Sequence, residues 1–130
     1  MDTLLIVDDD EGIRTSLAQA LSEEYIVHTA ASGTEAVRKL RENRVDVMLL
    51  DLVMDDGDGF SVLGYLSRCV PKPATIVFTV REEIKSVIAS MKLGADDYLV
   101  KHCDIETVRR AVRKALGTHA SKVAATAVGA

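Results

Sequence analysis

The chain has 130 residues, 48% of them hydrophobic and 28% charged, and its 16 basic and 20 acidic side chains give a net charge of −4. At roughly 100 to 200 residues per domain, this length predicts one domain that can bury a core of its own. The acidic balance excludes a polybasic nucleic-acid binder, because phosphate contacts need clustered Lys and Arg. No apolar run approaches the roughly 20 residues of a membrane helix, so we expect no membrane span.

The N-terminus and the cysteines indicate in which cellular compartment the protein is expected. A strand-like apolar run follows residues 1–3 with no basic segment and no cleavage site, so we expect no export signal. Cys69 and Cys103 lie far apart in the sequence and outside any metal-ligand spacing. Reduced thiols in a cytoplasmic protein are the interpretation that fits this cysteine usage.

Short apolar runs alternate with longer amphipathic stretches as far as residue 117. The predicted strands, in chain order, are residues 4–7, 25–27, 47–50, 74–78 and 98–100. Unbroken hydrophobicity is typical of strands covered on both faces, as in a parallel sheet. Regular alternation of strands and helices predicts an α/β fold with a right-handed, doubly wound sheet and helices on both faces.

The predicted helices have apolar stripes and capping residues. Ser32 and Glu35 predict a capping box in which Glu35 returns a bond to the Ser32 amide, and Asp104 is the expected N-cap of the last helix. Residues at helical spacing form the two clearest stripes: Ile84, Val87, Ile88 and Met91, then Ile105, Val108, Val112, Ala115 and Leu116. After Gly117 small residues dominate, so we predict a domain over residues 1–117 and a linker or tail over residues 118–130.

Polar side chains follow four of the five predicted strands: Asp8, Asp9 and Asp10 the first, Asp51 the third, Thr79 the fourth and Lys101 the fifth. Ligands of open α/β sheets bind beyond the carboxyl ends of the strands, so we expect these groups to converge. Two unit charges about 4 Å apart repel by roughly 4 kcal/mol at an effective dielectric of 20. Because a hard divalent cation relieves such repulsion, Asp8, Asp9 and Asp51 predict a Mg²⁺ site, with Asp10 left to cap the helix.

The remaining two groups suit an oxyanion. Lys101 supplies a cation and Thr79 a hydroxyl donor, so that together with the metal they predict a site for a tetrahedral oxyanion. A carboxylate at such a site can act as the nucleophile that takes up phosphorus.

Ordered motifs extend over residues 3–117. They are residues 4–10 (LLIVDDD) with Ile13-Arg14, then Asp51 with Met54 and Asp58-Gly59, then Thr79, and finally residues 94–101 (GADDYLVK). Together these motifs resemble the receiver domain of bacterial two-component response regulators. The resemblance implies a flavodoxin-like (βα)5 fold with strand order 2-1-3-4-5, and a phosphorelay switch with slow autodephosphorylation in place of a turnover enzyme.

The resemblance also implies a role for each matching residue. Asp51 is the expected phosphoryl acceptor, supplied by a sensor histidine kinase or a phosphotransfer protein. Asp8 and Asp9, together with Asp51 and the backbone carbonyl of Val53, are the expected Mg²⁺ ligands.

The resemblance further implies which residues bind the phosphoryl group, which one switches conformation, and which face contacts a partner. Thr79 and Lys101 are expected to bind phosphoryl oxygens, and Tyr98 is the expected aromatic switch residue. The face formed by the fourth helix, fifth strand and fifth helix is the expected surface for an output domain or effector protein, or for a homodimer. The resemblance implies no direct contact of this domain with nucleic acid or membrane.

The sequence departs from the family pattern at three positions, where Asp55, Val80 and His102 replace a proline, a small residue and a second proline. Asp55 and Val80 are expected to modulate access to the acceptor. Since a cis bond before a non-proline residue costs about 2.5 to 4 kcal/mol, we predict a trans bond between Lys101 and His102. Because a trans bond changes the course of the backbone just after Lys101, we expect the Lys101 side chain to reach Asp51 less directly.

Two other functions share parts of this pattern. A Mg²⁺-dependent phosphatase that acts through an aspartyl phosphate usually has a second carboxylate two residues after the nucleophile, where this chain has Val53. A flavin carrier of the same topology needs a phosphate loop after the first strand, where three aspartates repel phosphate instead.

Overall fold

The chain folds into a five-stranded parallel sheet with helices on both faces. The computed structural model describes residues 1–54, 59–80 and 84–129. The strands are β1 (Thr3–Val7), β2 (Ile26–Ala30), β3 (Val47–Leu50), β4 (Ala74–Thr79) and β5 (Asp97–Val100). The helices are α1 (Glu11–Leu21), α2 (Gly33–Glu42), α3 (Gly59–Leu66), α4 (Ile84–Lys92) and α5 (Ile105–Gly129). The sheet order is β2-β1-β3-β4-β5, which confirms the predicted fold class and strand order.

Two hydrophobic cores lie on opposite faces of the sheet. Leu4 and Ile6 of β1 belong to the core that includes residues of α1 and α5. Leu5 and Val7, which alternate with them, belong to the core that includes residues of α2 and α3. Successive side chains of a strand point to opposite faces, so a strand covered on both sides needs an unbroken apolar run.

Side-chain caps fix the N-termini of α1, α2 and α5. Ser32 Oγ accepts a hydrogen bond from the Glu35 amide at 3.1 Å, as the capping box predicts. The return bond differs from the prediction, because the Glu35 carboxylate accepts from the Ala31 amide, at 3.2 Å, and not from that of Ser32. At α5, Asp104 Oδ1 accepts from the Thr107 amide at 2.8 Å, so the predicted N-cap is confirmed.

Two helices differ from what the sequence pattern suggests. Helix α5 continues through Gly117 to Gly129 without a break, while the division into a domain and a tail at residue 117 stays a prediction. The stripe of α4 is only partly covered, since Val87 is buried but Ile88 and Met91 are exposed. Within the described ranges, no helix combines the length and the hydropathy needed to cross a membrane.

Candidate functional site

Three carboxylates converge at the carboxyl edge of the sheet. Asp8 follows β1 and Asp51 follows β3, and these strands are neighbours, with the Asp51 amide donating to the Val7 carbonyl at 2.9 Å. One carboxylate oxygen each of Asp8, Asp9 and Asp51 lies within 4.8 Å of the other two. Asp8 and Asp51 are buried and Asp9 is exposed, so the cluster opens to solvent on one side. The predicted convergence is confirmed.

Lys101 reaches this cluster directly. Its Nζ lies 2.9 Å from Asp8 Oδ2 and 3.0 Å from Asp51 Oδ2. The expectation that Lys101 reaches Asp51 less directly is therefore wrong. One ammonium group contacts two of the three carboxylates and offsets part of their mutual repulsion.

The backbone after the lysine explains how this contact survives the loss of the family's proline. In the described parts of the chain the only cis peptide bond is Val70-Pro71, so the bond between Lys101 and His102 is trans, as predicted. His102 itself has a φ of 74°, in the left-handed region that non-glycine residues seldom adopt. After Lys101 the chain therefore turns through the left-handed backbone of His102, where the family pattern has a cis bond.

Burial and charge shift two of the ionisable groups in the cluster. Burial raises the pKa of the Asp51 carboxyl, and the nearby Asp8 charge adds to this, while the Val53 amide and Lys101 lower it less. Burial also lowers the pKa of Lys101, but its bonds to Asp8 and Asp51 outweigh that, so its pKa is raised. The lysine is therefore held as a cation, and the ionised form of Asp51 is less favourable than that of a carboxyl in water.

The oxygens of the cluster fit a hard divalent cation. Asp8 Oδ1 accepts a hydrogen bond from the Asp10 amide at 2.9 Å. Asp8 Oδ2 is buried, and among the described residues it forms an ion pair with Lys101 Nζ at 2.9 Å. Three convergent carboxylates, two of them buried, are the kind of oxygen donor set that Mg²⁺ prefers. Asp10 takes no part in the cluster, since its Oδ1 caps α1 by accepting from the Ile13 amide at 3.1 Å, as predicted.

A small cavity of about 260 Å³ brings most of the predicted site residues together. Its lining comprises Asp9, Asp10, Asp51, Val53, Thr79, Val80 and Lys101. Thr79 is buried, whereas Val80 is 41% exposed and borders the opening. The Val53 amide donates to Asp51 Oδ1 at 3.1 Å, which fixes the turn that follows the candidate acceptor.

One predicted residue, Tyr98, lies elsewhere. Tyr98 is on the edge strand β5, opposite Val77 of β4, and is 49% exposed. It does not line the cavity. Asp55, the second residue expected to modulate access, lies outside the described residues.

Arg14 and Gly59 support the site in ways that the sequence did not reveal. Arg14 Nη1 donates to the Asp8 carbonyl at 2.7 Å. A Cβ at Gly59 would lie 2.5 Å from the Asp51 carbonyl oxygen, so only glycine fits there. Both residues belong to the motifs that carry the resemblance, but a motif does not say which backbone atom a side chain contacts.

Comparisons with known proteins agree with this geometry. Residues 4–113 match the family model for the response regulator receiver domain. The transcriptional regulatory protein AfsQ1 of Streptomyces coelicolor is 39% identical over 102 residues, which cover 78% of this chain and 45% of that protein. Response regulator MprA of a Mycobacterium species is 35% identical over 114 residues, covering 87% of this chain and 50% of that protein.

A solved structure shows the same architecture. The CheY-like response regulator receiver domain protein of Methanospirillum hungatei matches with a TM-score of 0.88 at 26% identity, over 94% of this chain and 98% of that one. This chain spans about half the length of AfsQ1 and of MprA. The sequence motifs, the strand order and the convergent residues lead to one assignment: the chain belongs to the receiver-domain family of two-component response regulators, which are signalling switches.

Proposed function

We propose that this receiver domain accepts a phosphoryl group on Asp51 and switches its conformation in response. The observation that supports this most strongly is the contact of Lys101 Nζ with Asp51 Oδ2 at 3.0 Å, inside a cluster of three carboxylates. A buried carboxylate beside a fixed cation has a counter-charge ready for incoming phosphoryl oxygens. A purely structural cluster has no need for a third carboxylate with only one lysine.

The reaction requires little from the protein beyond position and charge. A carboxylate oxygen of Asp51 attacks the phosphorus of a phosphohistidine, the new O–P bond forms, and the N–P bond breaks. The departing imidazole nitrogen keeps the electron pair of the N–P bond, takes a proton from solvent water and leaves as neutral histidine. Lys101 and Thr79, which line the same cavity, bind phosphoryl oxygens after the transfer.

Asp8, Asp9, Asp51 and the Val53 carbonyl are the residues that we propose to hold Mg²⁺. When bound, the ion supplies positive charge that offsets the carboxylates and the phosphoryl oxygens. The protein's own contribution is to fix Asp8 and Asp51 on neighbouring strands, while exposed Asp9 leaves the ion accessible to solvent. Slow hydrolysis of the phosphoaspartate by water that enters past Val80 returns the domain to its resting state.

The output surface that we propose is the face of α4, β5 and α5. Exposed apolar side chains there include Ile88, Met91 and Tyr98, and a partner that covers them would remove apolar surface from water. Inward movement of Tyr98 as Thr79 approaches the phosphoryl group is the proposed route from the site to this face. Its partners are an output domain or effector protein, or a second copy of the chain.

Several charges on this face are already used within the molecule, and that of Arg109 is the clearest case. Arg109 Nε lies 3.1 Å from Glu24 Oε1, and its Nη2 donates to the Ala20 carbonyl at 2.9 Å. A homodimer across this face therefore has to rely on other charges of both signs, such as Lys92 and Asp97, together with the apolar side chains. A sensor histidine kinase or a phosphotransfer protein is the proposed phosphoryl donor. We also propose a cytoplasmic location, because both cysteines are free thiols.

Phosphoryl uptake at varied Mg²⁺ concentration tests the proposal. With a small phosphodonor such as acetyl phosphate, Asp9→Asn should need far more Mg²⁺ than the wild type, since it lacks one ligand carboxylate. Asp10→Asn is the matched control, because the Asp10 carboxylate caps α1 and does not belong to the cluster of three carboxylates. Equal Mg²⁺ dependence of the two variants, or uptake that ignores Mg²⁺, would contradict the assignment.

A further inference from the structure

Arg14 reaches the site because of its place in α1. The helix begins at Glu11, and the Arg14 amide donates to the Asp10 carbonyl at 3.1 Å in its first turn. Side chains on a helix lean toward its N-terminus, so a long side chain here extends back toward the end of β1. The guanidinium arrives beside the residue that follows the strand.

The atom it contacts is the backbone carbonyl of Asp8. Strand β1 ends at Val7, so the Asp8 carbonyl lies beyond the strand pairs of the sheet. A buried carbonyl needs a donor, and Arg14 Nη1 provides one at 2.7 Å. This contact belongs to a side chain with five donors in a rigid fork, which a lysine does not reproduce.

Three hydrogen bonds hold Asp8 in place, and the one from Arg14 is the third of them. Its amide donates to the Ala30 carbonyl of β2 at 3.1 Å, and its carboxylate Oδ1 accepts from the Asp10 amide at 2.9 Å. With Arg14 on the carbonyl, the backbone on both sides of the Cα is fixed. The remaining oxygen, Oδ2, is then directed at Asp51 and Lys101.

We propose that Arg14 is a positioning residue for the metal carboxylate of Asp8. This inference rests on the proposed Mg²⁺ site. Arg14 does not touch the ion; it fixes the residue that does, and groups that orient metal ligands typically change metal affinity by about 10- to 100-fold when removed.

The charge of Arg14 acts in the opposite direction to its hydrogen bond. A guanidinium near a cation site repels the cation, so charge alone predicts that loss of Arg14 strengthens Mg²⁺ binding. Loss of the hydrogen bond frees Asp8 and predicts weaker binding. The two effects have opposite signs, which makes the affinity of suitable variants decisive.

Mg²⁺ affinity is measured by calorimetric titration of the full chain, without any phosphodonor. Arg14→Met should bind Mg²⁺ about tenfold more weakly than the wild type. Arg14→Lys, which keeps the charge but not the fork, should also bind more weakly. Arg38→Met is the matched control, because Arg38 is an exposed helix arginine whose ion-pair partner is Glu42, 3.8 Å away on α2; its affinity should not change.

Each alternative result is decisive. Unchanged or tighter binding by Arg14→Met, or weakening equal to that of Arg38→Met, overturns the positioning role while leaving the Mg²⁺ site intact. A wild-type chain that binds no Mg²⁺ overturns both the proposed metal site and this inference. Denaturation of each variant without Mg²⁺ identifies any loss of folding, and Arg14→Lys still decides the question if Arg14→Met does not fold.

Discussion

The ammonium group of Lys101 lies 3.0 Å from Oδ2 of Asp51, although the peptide bond that follows the lysine is trans. The family pattern places a cis proline after this lysine, and the chain has reached the same contact by another route. The route is a left-handed residue, since a φ of 74° at His102 turns the chain where the cis bond otherwise does. The position of the lysine is thus retained while the backbone that delivers it has changed.

His102→Gly should stabilise the domain. A left-handed backbone costs an ordinary residue about 1 to 2 kcal/mol, and glycine avoids this while losing more chain entropy on folding. We expect a net gain of about 0.5 to 1 kcal/mol in the free energy of unfolding, measured by urea denaturation. His28→Gly, in strand β2, is the control and should lower stability. A clear loss of stability in His102→Gly would contradict the left-handed turn.

Asp51→Asn should stabilise the metal-free domain at neutral pH. The pKa of Asp51 is raised in the folded state, so between the ordinary carboxyl pKa and this raised pKa the native protein binds more protons than the unfolded chain. The free energy of unfolding of the wild type therefore falls as the pH rises between these two pKa values. The Asp51→Asn variant avoids this loss, because its side-chain amide stays neutral. We expect a gain of about 0.5 to 2 kcal/mol at pH 7 that shrinks as the pH falls toward the ordinary carboxyl pKa.

Asp104→Asn serves as the control, because it should change the free energy of unfolding at pH 7 in the opposite direction to Asp51→Asn. The amide and hydroxyl of Thr107 lower the pKa of Asp104, so its carboxylate stabilises the fold above the ordinary carboxyl range. That contribution is lost as the pH falls through the lowered pKa. The wild type should exceed Asp104→Asn in stability at pH 7 and lose this advantage in acid. Urea titrations with EDTA that show the same sign for both variants would refute the pKa of Asp51 as described.

Gly59→Ala should disturb the acceptor directly. The added Cβ would lie 2.5 Å from the Asp51 carbonyl oxygen and 2.7 Å from the Leu52 Cα, both of which are backbone atoms that cannot give way cheaply. Overpacking of this kind costs about 1 to 3 kcal/mol, and phosphoryl uptake should slow because Asp51 is displaced.

Gly64 provides the matched control in the same helix. A Cβ there meets nothing within 4 Å, so Gly64→Ala should raise stability by up to about 1 kcal/mol and leave phosphoryl uptake unchanged. Denaturation and uptake rates are measured on both variants. If Gly59→Ala behaved like Gly64→Ala, the close approach to Asp51 would not constrain the site.

Val80→Ala should shorten the lifetime of the phosphoaspartate. Val80 lines the cavity at Asp51, and its β-branched side chain is stiff, so it narrows the approach of water. We expect hydrolysis to accelerate by less than about tenfold, which is under about 1.4 kcal/mol of barrier. Loss of the phosphoryl group is followed by phosphate release after the donor is removed. Val70→Ala, remote and almost fully exposed, is the control, and a longer lifetime for Val80→Ala would show that Val80 does not shield the site.

The sequence predicted the site better than its supporting contacts. Asp8, Asp51, Thr79 and Lys101 each follow a strand, and the carboxyl ends of parallel strands meet at one edge, so their convergence follows from the order of elements alone. The contact of Arg14 with a carbonyl depends on how α1 leaves β1, which a residue pattern does not specify.

The half-covered stripe of α4 was missed for a related reason. Helical periodicity identifies an apolar face, but it does not say how much of that face a neighbour covers. Ile88 and Met91 lie on the predicted stripe and remain exposed, and this exposure is what points to a partner surface.

The intact mass of the chain after incubation with acetyl phosphate and Mg²⁺ tests the central claim most directly. The account predicts that the wild type gains the mass of one phosphoryl group and that Asp51→Asn gains none, because Asp51 is the nucleophile. Asp10→Asn should gain one phosphoryl group like the wild type, since Asp10 only caps α1. A phosphoryl group that persists in Asp51→Asn and maps to Asp8 or Asp9 would contradict the assignment of Asp51 as the acceptor.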